Sequence, residues 1–91
     1  MVNLLPYSIG LQLGAVWEEQ TVRLPLAGNL AMVEARGLFV HIQIGDLEPV
    51  RLAFAWAQAS HVALILGQTN FFQEFDVCFE RSRHMIKIIR L

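Results

Sequence analysis

Leu38-Phe39-Val40-His41-Ile42-Gln43-Ile44, then Gly45-Asp46-Leu47-Glu48-Pro49, then Val50-Arg51-Leu52-Ala53-Phe54-Ala55-Trp56 is the stretch on which the fold turns. Leu38, Val40, Ile42 and Ile44 alternate with Phe39, His41 and Gln43, while Val50, Leu52, Phe54 and Trp56 alternate with Arg51, Ala53 and Ala55. A period of two places successive side chains on opposite faces of an extended chain, so both runs read as strands. The interval bearing Gly45 and Pro49 reads as the turn of a hairpin. The class expected from this stretch is mainly β.

Upstream of the hairpin, Thr21 to Leu26 also alternates, and Pro25 inside the run points to an edge strand because it has no N–H to give to a ladder. Ala27-Gly28-Asn29 reads as a turn. Earlier still, Leu5, Ile9 and Leu13 share one face of a short helix, with Pro6 at its start and Gly14 where a left-handed residue would end it. Gly10 weakens that helix, which needs tertiary packing to persist.

Downstream, Val62-Ala63-Leu64-Ile65-Leu66 is apolar throughout and reads as a strand buried on both sides at the centre of the core. Asn70 with Gln73 resembles a capping box for a short helix that carries Phe71, Phe72 and Phe75. Val77 and Phe79 begin a second hairpin, Arg81-Ser82-Arg83 turns it, and Met85 to Leu91 returns with Ile86 and Ile88 on one face. About six short strands and one or two short helices suggest a small, closed or partly open β-barrel.

Composition bounds what such a barrel can do. With 91 residues and 10.3 kDa the chain is a single domain, and at 55% hydrophobic against 16% charged it is too apolar to stay disordered. Seven Lys and Arg against eight Asp and Glu leave no electrostatic footprint for nucleic acid or an anionic membrane surface. No apolar run is long enough for a membrane-spanning helix, and no basic residue precedes Arg23 to make a signal peptide of the apolar start. The expectation is a soluble, cytoplasmic protein, in keeping with a lone cysteine, Cys78.

Complete catalytic constellations are missing. His41, His61, Cys78 and His84 do not follow a zinc-ligand spacing, so no metal is expected, and no cofactor. Cys78 has no basic cluster beside it to make a thiolate. Glu18, Glu19, Asp46, Glu48, Glu74, Asp76 and Glu80 read as solvated carboxylates, and Gly28-Asn29 does not make a phosphate loop.

A resemblance gives these elements a context. Ile65-Leu66-Gly67-Gln68-Thr69-Asn70-Phe71-Phe72-Gln73-Glu74-Phe75-Asp76-Val77-Cys78-Phe79 resembles the C-terminal signature of retropepsin-like aspartic proteases, where a buried apolar-apolar-Gly strand precedes a short helix and a final strand pair. Val2-Asn3-Leu4-Leu5-Pro6, with Leu11-Gln12-Leu13-Gly14 behind it, is similar to the segment just after that family's catalytic loop. Leu24 to Met32 would then be the substrate-covering flap, with Leu26, Ala27, Gly28 and Asn29 around its tip, and Leu38 to Trp56 the body hairpin. Ile65, Leu66, Gly67 and Gln68 would form the structural motif of the buried strand. The resemblance spans residues 1–91 as one domain that lacks the N-terminal strand and the catalytic loop.

The departure from the family lies at its chemistry. The Asp-Thr-Gly or Asp-Ser-Gly of the resemblance should end just before Met1, and Asp46 and Asp76, the only aspartates, precede neither Thr-Gly nor Ser-Gly. The family hydrolyses peptide bonds with two aspartates that share a proton, one from each subunit in single-domain members. Gln68 stands where retroviral members often carry an arginine that pairs with an acid, and Met1 falls about where that acid would be. The resemblance therefore implies a homodimeric peptidase fold acting on peptide or protein, without catalytic residues in this chain. The alternative is a non-catalytic β module for interaction or dimerisation. In either case Met85 to Leu91, apolar on both faces, would be expected to pair with a second copy.

Overall fold

The computed structural model describes residues 3–26, 28–30, 32–66, 69–70 and 75–90. The strands are β1 (Leu4–Leu5), β2 (Arg23–Leu24), β3 (Ala35–Ile44), β4 (Val50–Ala57), β5 (Ile65–Leu66), β6 (Thr69–Asn70), β7 (Phe75–Glu80) and β8 (Met85–Arg90). One α-helix, α1 (Tyr7–Gln12), and two single-turn 3-10 segments, Trp17–Glu19 and Gly28–Leu30, complete the described elements. The strands make one curled half-barrel in the order β6-β5-β1-β4-β3-β8-β7, with β2 on the free side of β3. Of the expected architecture, the mainly β class and the partly open curl are what this structure has.

The β3–β4 hairpin is the spine of the sheet. Its strands pair antiparallel from Ile42 opposite Val50 to Ala35 opposite Ala57. Gly45 takes the positive φ that closes the turn, and its N–H donates to the Ile88 carbonyl at 2.9 Å, tying the turn to β8. Pro6 caps α1, and Gly14 lies beyond its end at φ 83°, the left-handed conformation that stops a helix.

β4 divides the interior by its alternation. Phe54 and Trp56 enter a main cluster with Leu5, Ile9, Leu13 and Val40, so the face shared by Leu5, Ile9 and Leu13 is the buried one. Ala55 and Ala57 enter a smaller cluster with Leu4, Ala35 and Val62, which Leu24, Leu26, Leu30 and Val33 cover. In the main cluster Trp56 stacks on Tyr7 at 5.6 Å between ring centroids and meets Trp17 edge-on at 5.1 Å. Its Nε1–H donates to the Tyr7 carbonyl at 3.2 Å. Arg36 lies over Trp17, 4.5 Å from the ring centroid, and donates to the Trp17 carbonyl at 2.8 Å.

Four expectations need correction. Val62 to Leu66 is not a central strand: only Ile65–Leu66 pairs, between β1 and β6, while Val62 and Leu64 are buried from a turn and an irregular segment. A run apolar at every position has no period, and here it serves two clusters rather than two faces of a strand. Phe75 belongs to β7 rather than to a helix, and Asn70 pairs with Ile65 in β6; the short helix expected after Asn70 falls on Phe71, Phe72, Gln73 and Glu74, which lie outside the described residues. The edge strand expected over Thr21 to Leu26 shortens to Arg23–Leu24. The terminal strand is not open: β8 runs parallel to β3 on one side and antiparallel to β7 on the other. Both of its hydrogen-bonding edges are thus occupied within the chain, which removes the basis for pairing it with a second copy.

Candidate functional site

β1 joins the two ends of the chain's most distinctive sequence. Leu4 stands opposite Ala55 in a parallel pair with β4 and opposite Ile65 in an antiparallel pair with β5. Beside this junction lies a groove of about 280 Å³, lined by Leu4, Leu30, His61, Val62, Ala63 and Ile65. Leu4 and Val62 are buried in its wall, and the 3-10 turn Gly28–Leu30 brings Leu30 over it.

The residues expected to cover a substrate are placed in part. Leu26 is half-buried against the smaller cluster with Leu30. Gly28 is exposed, at φ 65°, with open space where a side chain would stand. Past the Leu24–Ala35 pair, the described residues Gly28–Leu30 form a single 3-10 turn, and Leu26, Leu30 and Val33 pack on the cluster. Ala27 lies outside the described residues, as does the side chain of Asn29. Ile65 packs on the smaller cluster and Leu66 on the main one, while Gly67 and Gln68 lie outside the described residues. Sequence reasoning misses His61, Val62 and Ala63 as groove residues, and reaches Leu30 only as part of the flap expected over Leu24 to Met32.

The groove is of mixed polarity, its surface slightly more polar than apolar although most of its side chains are apolar. Five of its six lining side chains are apolar and the sixth is the exposed imidazole of His61; none is a carboxylate. Asp46 lies in the β3–β4 turn and Asp76 on β7, both exposed and neither in the groove. Among the described residues no three His, Cys, Asp or Glu side chains converge as metal ligands do. Elsewhere, Lys87 Nζ donates to Glu80 at 2.8 Å across the β7–β8 ladder and, with Arg83 at 3.3 Å, holds that carboxyl below its usual range. That pair stitches a hairpin and lies outside the groove. Such a site can seat a small apolar side chain and holds no carboxylate pair, its one acid–base side chain being His61. No helix among the described residues is long and apolar enough to cross a membrane.

Comparison of the chain with protein-family models, with curated proteins and with solved structures finds no match.

Proposed function

We propose that the chain is the body of a retropepsin-like aspartic peptidase domain that is inactive as a peptidase because it has no catalytic aspartate. The observation that carries this reading is the pairing of Leu4 with Ile65. These residues belong to the two segments that resemble the family, and nothing local in the sequence requires them to meet. With Leu4 in the wall of the groove, a catalytic loop ahead of Met1 would deliver its aspartate near that groove. The turn bearing Leu30 would close over an apolar substrate side chain there. A homodimer and a cytoplasmic location belong to the same proposal; the free, exposed thiol of Cys78 suits a reducing compartment.

The test is turnover of a mixed peptide library between about pH 4 and pH 7, across which an aspartate pair loses its shared proton, with and without an aspartic-peptidase inhibitor. No inhibitor-sensitive cleavage is expected from the 91-residue chain. A longer reading frame with Asp-Ser-Gly-Ala or Asp-Thr-Gly-Ala directly ahead of Met1 should restore it. Cleavage by the short chain, or a restored loop that stays inactive and does not bind the inhibitor, defeats the proposal. The second reading, a non-catalytic interaction module, draws on a different surface, the part of the β3–β4 ladder where Phe39 and Ala53 are exposed.

A further inference from the structure

The β3–β4 ladder carries a trough of about 400 Å³ whose surface is mostly apolar. Its floor fills one cross-strand block: Gly37 opposite Ala55, then Ala53, whose partner Phe39 stands at the remaining corner, 57% exposed. Val22 and Leu24 form one wall, and Asn3, whose amide donates to the Ala53 carbonyl at 3.0 Å, lines the other side. A step of two residues along the strands and one strand spacing across gives the block a footprint of roughly 7 by 5 Å, that of one aromatic ring.

A cation stands at the Phe39 end of this seat. Arg51 is two residues from Ala53 on β4, hence on the same face, and its guanidinium lies 3.9 Å from the Phe39 ring centroid. The ion pairs among the described residues are Arg36–Glu34, Arg83–Glu80 and Lys87–Glu80, so Arg51 has no carboxylate there. Its cross-strand neighbour is His41, and no carboxylate lines the trough. We propose that the trough binds a small aryl-alkyl carboxylate, with its ring on the Gly37–Ala55 floor against Phe39 and its carboxylate on Arg51. A guanidinium that stacks on a ring through its face still presents its N–H donors in its own plane, where a carboxylate accepts them. The next outward position along β4 is roughly 7 Å beyond Ala53, within the combined reach of an arginine side chain and a short ligand arm.

Openness limits the strength of this binding. The trough covers one side of a ring and the ion pair is exposed, so a ligand of about eleven non-hydrogen atoms should bind with a dissociation constant on the order of 1 mM. The inference does not rest on the peptidase reading, since the trough and the groove beside β1 share no lining residue.

NMR titration of the 91-residue chain with 3-phenylpropionate tests it, from about 0.1 to 10 mM, a range that brackets the expected constant. The neutral isostere 3-phenylpropionamide is the control for charge. Arg51→Gln removes the cation, and Gly37→Val fills the floor while keeping a strand-compatible residue; a Cβ at Gly37 would meet Val22 at 3.7 Å, an ordinary contact. The amides of Gly37, Ala53 and Ala55 should shift saturably with the acid. The amide analogue on the wild type, and the acid on Arg51→Gln, should each bind about threefold to fivefold more weakly, as the loss of an exposed ion pair implies. Gly37→Val should weaken the acid about tenfold or more, with unchanged circular dichroism showing that both variants fold. No saturable shift, equal binding of acid and amide analogue, or indifference to Gly37→Val overturns the proposal. So does a shift of the same amides on dilution without ligand, which would assign the trough to a second copy, or tighter binding of an extended valine–threonine peptide, which would assign it to a peptide partner.

Discussion

Gly10 shows how a residue can look like a weakness in the sequence and be a requirement of the fold. In isolation a glycine inside a helix costs about 1 kcal/mol relative to alanine, so Gly10→Ala should favour α1. In the folded chain, however, the indole of Trp56 lies directly on Gly10, and a Cβ there would collide with its Cε2 and Nε1. Trp56 cannot move aside, since it is fully buried, stacked on Tyr7 and hydrogen-bonded to the Tyr7 carbonyl. Overpacking of this kind typically costs about 1–3 kcal/mol and outweighs the propensity gain. Gly10→Ala should therefore lower stability by roughly 1–2 kcal/mol in urea unfolding. Gln12→Ala, on the exposed side of the same helix, should change it by under about 0.5 kcal/mol. Equal effects from the two substitutions would mean that the indole does not rest on the helix.

At the scale of elements, the position of β8 inside the sheet makes a prediction opposite to that of an open terminal strand. Ile86 and Ile88 are buried between β3 and β7, while Ile89 is 50% exposed. Ile88→Lys should unfold the chain, because an unpaired ammonium in that interior costs several kcal/mol out of a total of about 5–15. Ile89→Lys should leave the urea midpoint nearly unchanged. A folded Ile88→Lys variant would show that β8 can leave the sheet. The alternation of Ile86 and Ile88 is legible from the sequence, as are the β3–β4 hairpin and the stop at Gly14, since each is written in a local period or a special backbone angle. The neighbours of β8 are not legible. Its parallel pairing with β3 joins residues more than forty positions apart, and the only sequence trace of such a partner is that both faces are apolar, which a strand paired with another molecule would share. The run Val62 to Leu66 misleads for a related reason: burial without a period does not say which element does the burying. The groove is legible at Leu4, Leu30 and Ile65, which lie in segments that carry the resemblance, but not at His61, which reaches it from a turn.

For the whole molecule, the decisive feature is that β1, β3, β4 and β5 each contribute to both cores. β1 sends Leu5 into the main cluster and Leu4 into the smaller one, and β4 sends Phe54 and Trp56 one way and Ala55 and Ala57 the other. The smaller cluster has no strand pair of its own that could stay folded once β1 and β4 have gone, nor could the main one keep Trp56 if β4 left to follow Ala55. Opening either cluster therefore breaks the parallel β1–β4 ladder on which the other depends. A radius of gyration of 12.5 Å, against about 12 Å for a compact chain of this length, leaves no room for a separately folded part. The chain should then unfold in one cooperative step, with a urea slope of about 1 kcal/mol/M for a domain of this size. Trp17 and Trp56 report the main cluster by fluorescence, and the amides of Ala59 and Val62, followed by NMR through the same titration, report the segment that closes the smaller one. The two transitions should coincide in midpoint and slope. If the Ala59 and Val62 signals were lost at lower urea than the tryptophan fluorescence, the smaller cluster would be an independent flap over the groove, and the shared-strand argument would fail.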